Sequence, residues 1–125
     1  MELHRAGREY LKTILMLEQQ NGTVRSLDVA RALHVTKPSV SKAMKHLRED
    51  GYLIMDGDKR IRLTTAGREA AIQAADRHQI LKTCLIAMGV DPAAAERDAS
   101  KMVHDIDPET LERIRFFVET KGRLQ

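Results

Sequence analysis

Hydrophobic residues recur at helical spacing from the start of the chain. Tyr10, Ile14 and Leu17 follow one another at intervals of four and three residues, which predicts an amphipathic first helix. Asn21 and Gly22 end this pattern with residues that favour a helix C-terminus.

Two shorter helical patterns follow, joined by a tight connection at residues 34–35. Ser26 is the predicted N-cap of a helix over residues 27–33, and Thr36 caps the next helix, in which Pro38 occupies the first turn. The residues predicted to face the core are Leu27, Ala30, Leu33, Val40, Met44 and Leu47.

The pattern then changes to two β-prone segments, residues 52–55 and 60–63, separated by the turn-forming residues 56–59. The second segment alternates basic and apolar residues. We therefore expect a hairpin with one packed face and one positively charged face.

The remainder is predicted to be helical. Thr64 or Thr65 caps a long helix that ends near Gly89, and each Asp-Pro pair, at 91–92 and 107–108, opens a further helix. The residues predicted to face inward on these two helices are Ala95, Ala99, Met102, Val103, Leu111, Ile114, Phe117 and Val118. The fold class is thus mainly α with one small hairpin.

Composition narrows the class of protein. The 125 residues are 42% hydrophobic and 31% charged, which suits a compact folded chain. The single cysteine, Cys84, excludes an intramolecular disulfide framework and favours a reducing, cytoplasmic location, and its apolar neighbours predict a packed side chain. Neither a signal peptide nor a membrane span is predicted, and no sequence motif indicates an enzyme.

The order helix, tight turn, helix, hairpin is that of a winged helix-turn-helix, whose second helix enters the DNA major groove. Charge follows the same division: residues 25–62 contain nine basic and five acidic residues, a net of +4, whereas residues 76–125 have a net of −1. The basic excess therefore coincides with the predicted DNA-binding part.

The predicted DNA contacts fall into two groups. Those at the start of the third helix are placed to reach base edges: Thr36, Lys37, Pro38, Ser39, Ser41 and Lys42. Those predicted to contact phosphates are Arg25, Lys45, Lys59 and Arg60.

Several segments resemble the metal-dependent repressors of the diphtheria-toxin-repressor family, especially the short manganese-responsive branch. They are the segments 9–14, 29–33, 38–42, 63–67, 77–78 and 88–91. The resemblance implies a winged helix-turn-helix DNA-binding domain at residues 1–63 and, at residues 64–125, a helical domain for dimerisation and for binding of a metal or effector. It also implies that the SH3-like domain of the iron-responsive branch is absent. It also implies a cytoplasmic homodimer that binds a palindromic duplex operator.

The resemblance further implies a site for divalent manganese or iron. When the family's metal-ligand positions are carried over one by one onto this sequence, the residues compatible with metal binding are Glu9, His78 and His104. The other positions depart from the family: Lys12, Ser100 and Val103 replace metal-binding residues, and Lys82 stands where the iron branch has an acid. Because a valine offers no donor and a lysine adds positive charge, we expect a degraded metal site.

Four interpretations stay open at this point. Lys12 is a candidate for supplying the missing positive charge by pairing with Glu9 or Asp98, which would hold the helices in the DNA-competent arrangement. His78 and His104 are more simply interpreted as histidines at the edge of the core that make ordinary hydrogen bonds. The helical domain could instead sense a small organic ligand. The winged helix could also serve as a protein-interaction adapter rather than bind DNA.

Overall fold

The computed structural model describes the backbone of residues 3–124 and the side chains of residues 3–120. Within those residues it contains six helices and one antiparallel hairpin, which fall into two compact units that divide within the fourth helix, at residues 74–75. The elements are α1 (Arg5–Asn21), α2 (Ser26–Leu33), α3 (Lys37–Glu49), β1 (Leu53–Met55), β2 (Ile61–Leu63), α4 (Thr65–Ala87), α5 (Pro92–Met102) and α6 (Pro108–Leu124). The predicted mainly α winged helix-turn-helix fold is confirmed.

The N-terminal unit has one hydrophobic core, to which α1, α2, α3, the hairpin and the start of α4 all contribute. Its fully buried large side chains are Leu11, Ile14, Val24, Val29, Val40 and Leu53. Each such buried side chain stabilises the folded state by about 1.5–3 kcal/mol. Because α3 and the hairpin contribute to the same core, their relative positions are set by this packing.

The connection between α2 and α3 is as short as predicted. His34 adopts a left-handed conformation (φ 56°) that ends α2, and the Thr36 hydroxyl accepts a hydrogen bond from the Ser39 N–H at 3.2 Å. Pro38 lies in the first turn of α3, where no backbone donor is lost. This tight turn sets the direction in which α3 leaves the core.

The start of α2 differs from the prediction. Arg25 occupies the N-cap position and Ser26 is the first helical residue, while the Asp28 carboxylate accepts the Arg25 N–H at 2.9 Å. Leu27 is also more exposed than expected, at 38%, whereas Val29, which was not among the predicted core residues, is fully buried.

The hairpin pairs β1 and β2 in antiparallel register, with Ile54 opposite Arg62. Leu53 and Ile61 point into the core, as the alternation predicted. Ile54 shares the outer face with the exposed Arg62. The outer face is therefore partly apolar rather than uniformly charged.

The C-terminal unit packs α4, α5 and α6 around Leu81, Ala99 and Leu111. Asp91 and Asp107 each accept a backbone N–H two residues onward, from Ala93 and Glu109, which confirms that each Asp-Pro pair begins a helix. Met102 and Phe117, which were predicted to face inward, are instead 39% and 52% exposed in the single chain. Small alanines at the α5 contact bring the helices together without needing these larger side chains.

No helix within residues 3–124 has the length and apolar character needed to cross a membrane.

Candidate nucleic-acid interface and regulatory site

Helix α3 presents two faces of opposite chemistry. Val40, Met44 and Leu47 are buried in the core, whereas Ser41, Lys42 and the other predicted contacts of this helix are exposed. Because exposed residues recur on the side opposite the buried stripe, the polar face is available to a large partner. Its chemistry of hydroxyls and ammonium groups matches base acceptors and phosphates.

The wing is the hairpin of residues 53–63, and the Asp56 carboxylate closes its turn with three hydrogen bonds, here called the Asp56 clamp. Its Oδ1 accepts the backbone N–H groups of Asp58 at 3.0 Å and Arg60 at 3.1 Å, and its Oδ2 accepts Nε of Arg62 at 3.1 Å. These bonds, led by that from Arg60, lower the pKa of the Asp56 carboxyl below its usual value. The turn also contains Lys59 in a left-handed conformation (φ 62°), with its side chain exposed.

Arg25 has a contact that links the helical part to the wing. Its Nη1 donates to the Asp58 carbonyl at 2.7 Å, across 33 residues of sequence. A guanidinium has five donors, so this bond leaves others for a phosphate. Arg25 therefore positions the wing turn whether or not it also contacts DNA.

The sequence did not identify Asp56 as the residue that holds the hairpin turn, and Arg62 was not among the predicted DNA contacts. The Asp-Gly-Asp turn indicated only that a hairpin closes there. An Asx-type bond from a turn aspartate to the N–H two residues onward is a recurrent local feature and could have identified Asp56. Its third bond, to the Arg62 side chain, depends on the strand pairing.

We expect the Asp56→Ala variant to bind duplex DNA about fivefold to tenfold more weakly, because the turn that holds Lys59 and Arg60 loses its acceptor. The lowered pKa means that the clamp is present above the unfolded value of 3.8 and is lost only as the pH falls through the lower folded value. The clamp is thus intact at neutral pH. Affinity measured by fluorescence anisotropy checks this.

Asp58→Ala is the matched control, since it removes the same charge but keeps the backbone groups that Asp56 and Arg25 bind. Asp58→Ala should bind DNA at least as tightly as the parent. Equal affinities for the two variants would contradict the clamp.

Of the implied metal ligands, Glu9 lies on α1 in the N-terminal unit. Its Oε1 is 3.4 Å from the Lys12 ammonium, one helical turn away. The predicted pairing of Lys12 with Glu9 is thus present in the structure.

His78 and His104 belong to the C-terminal unit. His78 is largely buried on α4, and its Nε2 lies 3.2 Å from Glu96 Oε1 and 3.3 Å from Ser100 Oγ. His104 is half-buried in the turn after α5. Within either unit, no three His, Cys, Asp or Glu side chains among residues 3–120 converge on a point that could hold a metal ion.

These features define a class: a winged-helix DNA-binding unit with an exposed polar recognition helix, followed by a three-helix unit. Comparison with known proteins is more specific. Residues 2–61 match the model of the iron dependent repressor N-terminal DNA binding domain. Residues 64–121 match that of the iron dependent repressor metal binding and dimerisation domain. The chain belongs to the iron-dependent repressor family.

Individual relatives agree with this assignment. The transcriptional regulator MntR of Escherichia coli is 35% identical over 114 residues, covering 91% of this chain and 74% of the relative. The HTH-type transcriptional regulator MntR of Shouchella clausii is 29% identical over 120 residues, covering 93% and 84%. These relatives are transcriptional regulators rather than enzymes.

Solved structures show the same fold. The T. acidophilum IdeR structure has a TM-score of 0.80 at 23% identity and covers 98% of this chain. A manganese-dependent transcriptional repressor in complex with manganese has a TM-score of 0.81 at 24% identity and covers 90%. The chain spans only 55% and 52% of these two longer proteins.

The family assignment makes this chain a DNA-binding transcriptional regulator whose partners are DNA and a second copy of itself. It does not favour an organic-ligand sensor or an adapter. Divalent manganese or iron is the cofactor that the metal-binding model and the manganese-regulator relatives indicate.

The residues present do not fit that cofactor. Mn²⁺ and Fe²⁺ need several carboxylate or imidazole donors around one point. Here Glu96 binds Lys82 (Nζ to Oε2, 3.1 Å), Glu9 binds Lys12, and Val103 has no donor atom in its side chain. Degradation of the metal site stays a prediction, for which these side-chain contacts are the structural basis.

Proposed function

We propose that this chain is a homodimeric repressor that binds a palindromic duplex operator through α3 and the wing of each subunit. The observation that carries the proposal is the exposed polar face of α3, held beside a clamped basic wing on one shared core. The contacts proposed for base edges and phosphates are the ten residues predicted from sequence, with Arg62 added on the wing.

Charge supports the assignment of this face. The net of +4 over residues 25–62 attracts the phosphate backbone, whereas the net of −1 over residues 76–125 does not. Residues 1–63 are thus proposed to be the DNA-binding domain. Residues 64–125 are proposed to form the dimerisation domain, with no catalytic role for either part.

The C-terminal unit has apolar side chains suited to a second copy of the chain. Met88 is 71% and Phe116 66% exposed in the single chain, and Phe117 and Ile86 are also exposed. Large aromatic and methionine side chains are enriched where subunits meet. Two copies of α3 related by a two-fold axis bind half-sites of opposite direction, which makes the proposed operator a palindrome, with half-sites about 34 Å apart, one turn of the DNA helix.

Selection from a pool of randomised duplexes, followed by titration of the selected duplex, tests this function. We expect a two-fold symmetric sequence, a complex of two chains per duplex by sedimentation, and affinity that falls steeply with salt. An asymmetric site bound by one chain would overturn the dimeric mode. A shallow salt slope without sequence selection would overturn the DNA-binding function itself.

A further inference from the structure

A network of charged and polar side chains joins α4 to α5 around His78, one of the metal ligands that the family resemblance implies. Both carboxylate oxygens of Glu96 have partners from α4: Oε1 contacts His78 Nε2 at 3.2 Å and Oε2 contacts Lys82 Nζ at 3.1 Å. His78 and Lys82 are four residues apart and therefore lie on the same face of α4. One carboxylate on α5 thus bridges two α4 side chains.

His78 Nε2 is held by two side chains of α5. It lies 3.2 Å from Glu96 Oε1 and 3.3 Å from Ser100 Oγ. The Ser100 hydroxyl in turn donates to the Glu96 carbonyl at 2.9 Å. A metal ion at Nε2 would have to displace both of these contacts.

Lys82 provides the positive charge that a divalent ion otherwise brings to such a cluster. A metal holds neighbouring helices together by attracting carboxylate and imidazole donors from both. In this chain the Lys82 ammonium and the His78 imidazole, both on α4, contact the same Glu96 carboxylate. Lys12 pairs with Glu9 in the N-terminal unit in a comparable way.

We propose that Lys82, with Glu96 and His78, replaces the divalent metal, so that this regulator binds its duplex without Mn²⁺ or Fe²⁺. The proposal rests on the proposed DNA-binding function. It does not depend on a strong ion pair, because Glu96 is 48% exposed and exposed pairs are weak. It depends on two facts: His78 Nε2 and both Glu96 carboxylate oxygens already have partners within this chain, and the Lys82 ammonium repels a divalent metal ion at the same place.

The first experiment measures metal binding alone. Chelator-treated protein comprising residues 1–125 is titrated calorimetrically with Mn²⁺ and, without oxygen, with Fe²⁺. We expect no saturable binding in the micromolar range. A stoichiometric site in that range would overturn the proposal whatever the outcome with DNA.

The second experiment measures affinity for duplexes selected from a randomised pool, with selection performed separately in chelator and in Mn²⁺. The dissociation constants in the two conditions should agree within about twofold. An increase in affinity of tenfold or more on addition of metal would overturn the proposal. Absence of selective binding in both conditions would instead refute the proposed function.

Variants at Lys82 test whether its ammonium group takes the place of the divalent metal ion. Lys82→Met should lower DNA affinity about threefold to fivefold in chelator, Lys82→Arg should restore most of it, and thermal melting should show that each variant is folded. Lys101→Met, at an exposed lysine of α5, is the matched control and should bind like the parent. An unchanged affinity of folded Lys82→Met would overturn the proposal.

Discussion

Replacement of Gly67 by alanine is expected to destabilise the N-terminal unit strongly. A Cβ atom at this position would lie 1.8 Å from the Tyr52 carbonyl oxygen and 2.8 Å from its carbonyl carbon, far inside van der Waals contact. Both atoms are backbone, so no side-chain rotation relieves the overlap. The substitution forces α4 away from the start of the hairpin.

The surrounding hydrogen bonds make this close approach hard to relax. Thr64 donates its N–H to the same Tyr52 carbonyl at 3.1 Å, donates its hydroxyl to the Gly51 carbonyl at 2.7 Å, and accepts the Gly67 N–H at 3.1 Å. Thr64, rather than Thr65, is thus the cap of α4. Moving the helix breaks several of these bonds together with the packing beneath them.

We expect Gly67→Ala to cost more than about 3 kcal/mol and to lower the melting temperature by about 10 °C or more. The direction is informative because a glycine-to-alanine change inside a helix ordinarily stabilises by about 0.5–1 kcal/mol. Thermal unfolding followed by circular dichroism measures the effect. Gly57→Ala is the control, since a Cβ at this turn position meets nothing within 4 Å; similar melting of both variants would contradict the clash.

The second large effect is expected at Lys42, on the exposed face of α3. Lys42→Glu places a negative charge against the DNA and should weaken binding of the selected duplex about 100-fold or more, which is about 2.7 kcal/mol. Because the side chain is exposed and opposite the buried Met44 stripe, the melting temperature should stay close to that of the parent. Titration in anisotropy measures the affinity.

Lys101→Glu makes the same charge change on α5 and separates a local contact from a general loss of positive charge. It should reduce affinity only slightly. Equal losses for the two variants would place the DNA elsewhere than on α3.

Truncation to alanine distinguishes the two kinds of contact along α3. Lys42→Ala should lose about 1–3 kcal/mol and relax selectivity at one base pair, as expected for a base-edge contact. Lys45→Ala should weaken binding of all duplexes alike and reduce the salt slope by about one, as expected for a phosphate contact. A reversed pattern would exchange the roles predicted for these two lysines.

The elements predicted most accurately are those whose signals are local. Thr36 caps α3 through a bond to a backbone group three residues away, and the two Asp-Pro pairs begin α5 and α6 through bonds spanning two residues. Lys12 and Glu9 pair within one helical turn, so their contact also follows from sequence spacing. The cap of α2 was misplaced at Ser26, because Arg25 takes that position with Asp28. The burial of Leu27, Met102 and Phe117 was also wrong, because the neighbouring elements determine which side of a helix is buried.

The amino-acid sequence by itself determined the winged helix-turn-helix order, the location of the basic excess and the departures from the family's metal ligands. These features depend on residue type, on periodicity and on spacing along the chain. Only the tertiary structure decided that Tyr52 meets Gly67, that Arg25 binds the wing turn and that Glu96 binds both His78 and Lys82. Such contacts join residues 14 to 33 positions apart, and their geometry exists only once packing has brought separate elements together.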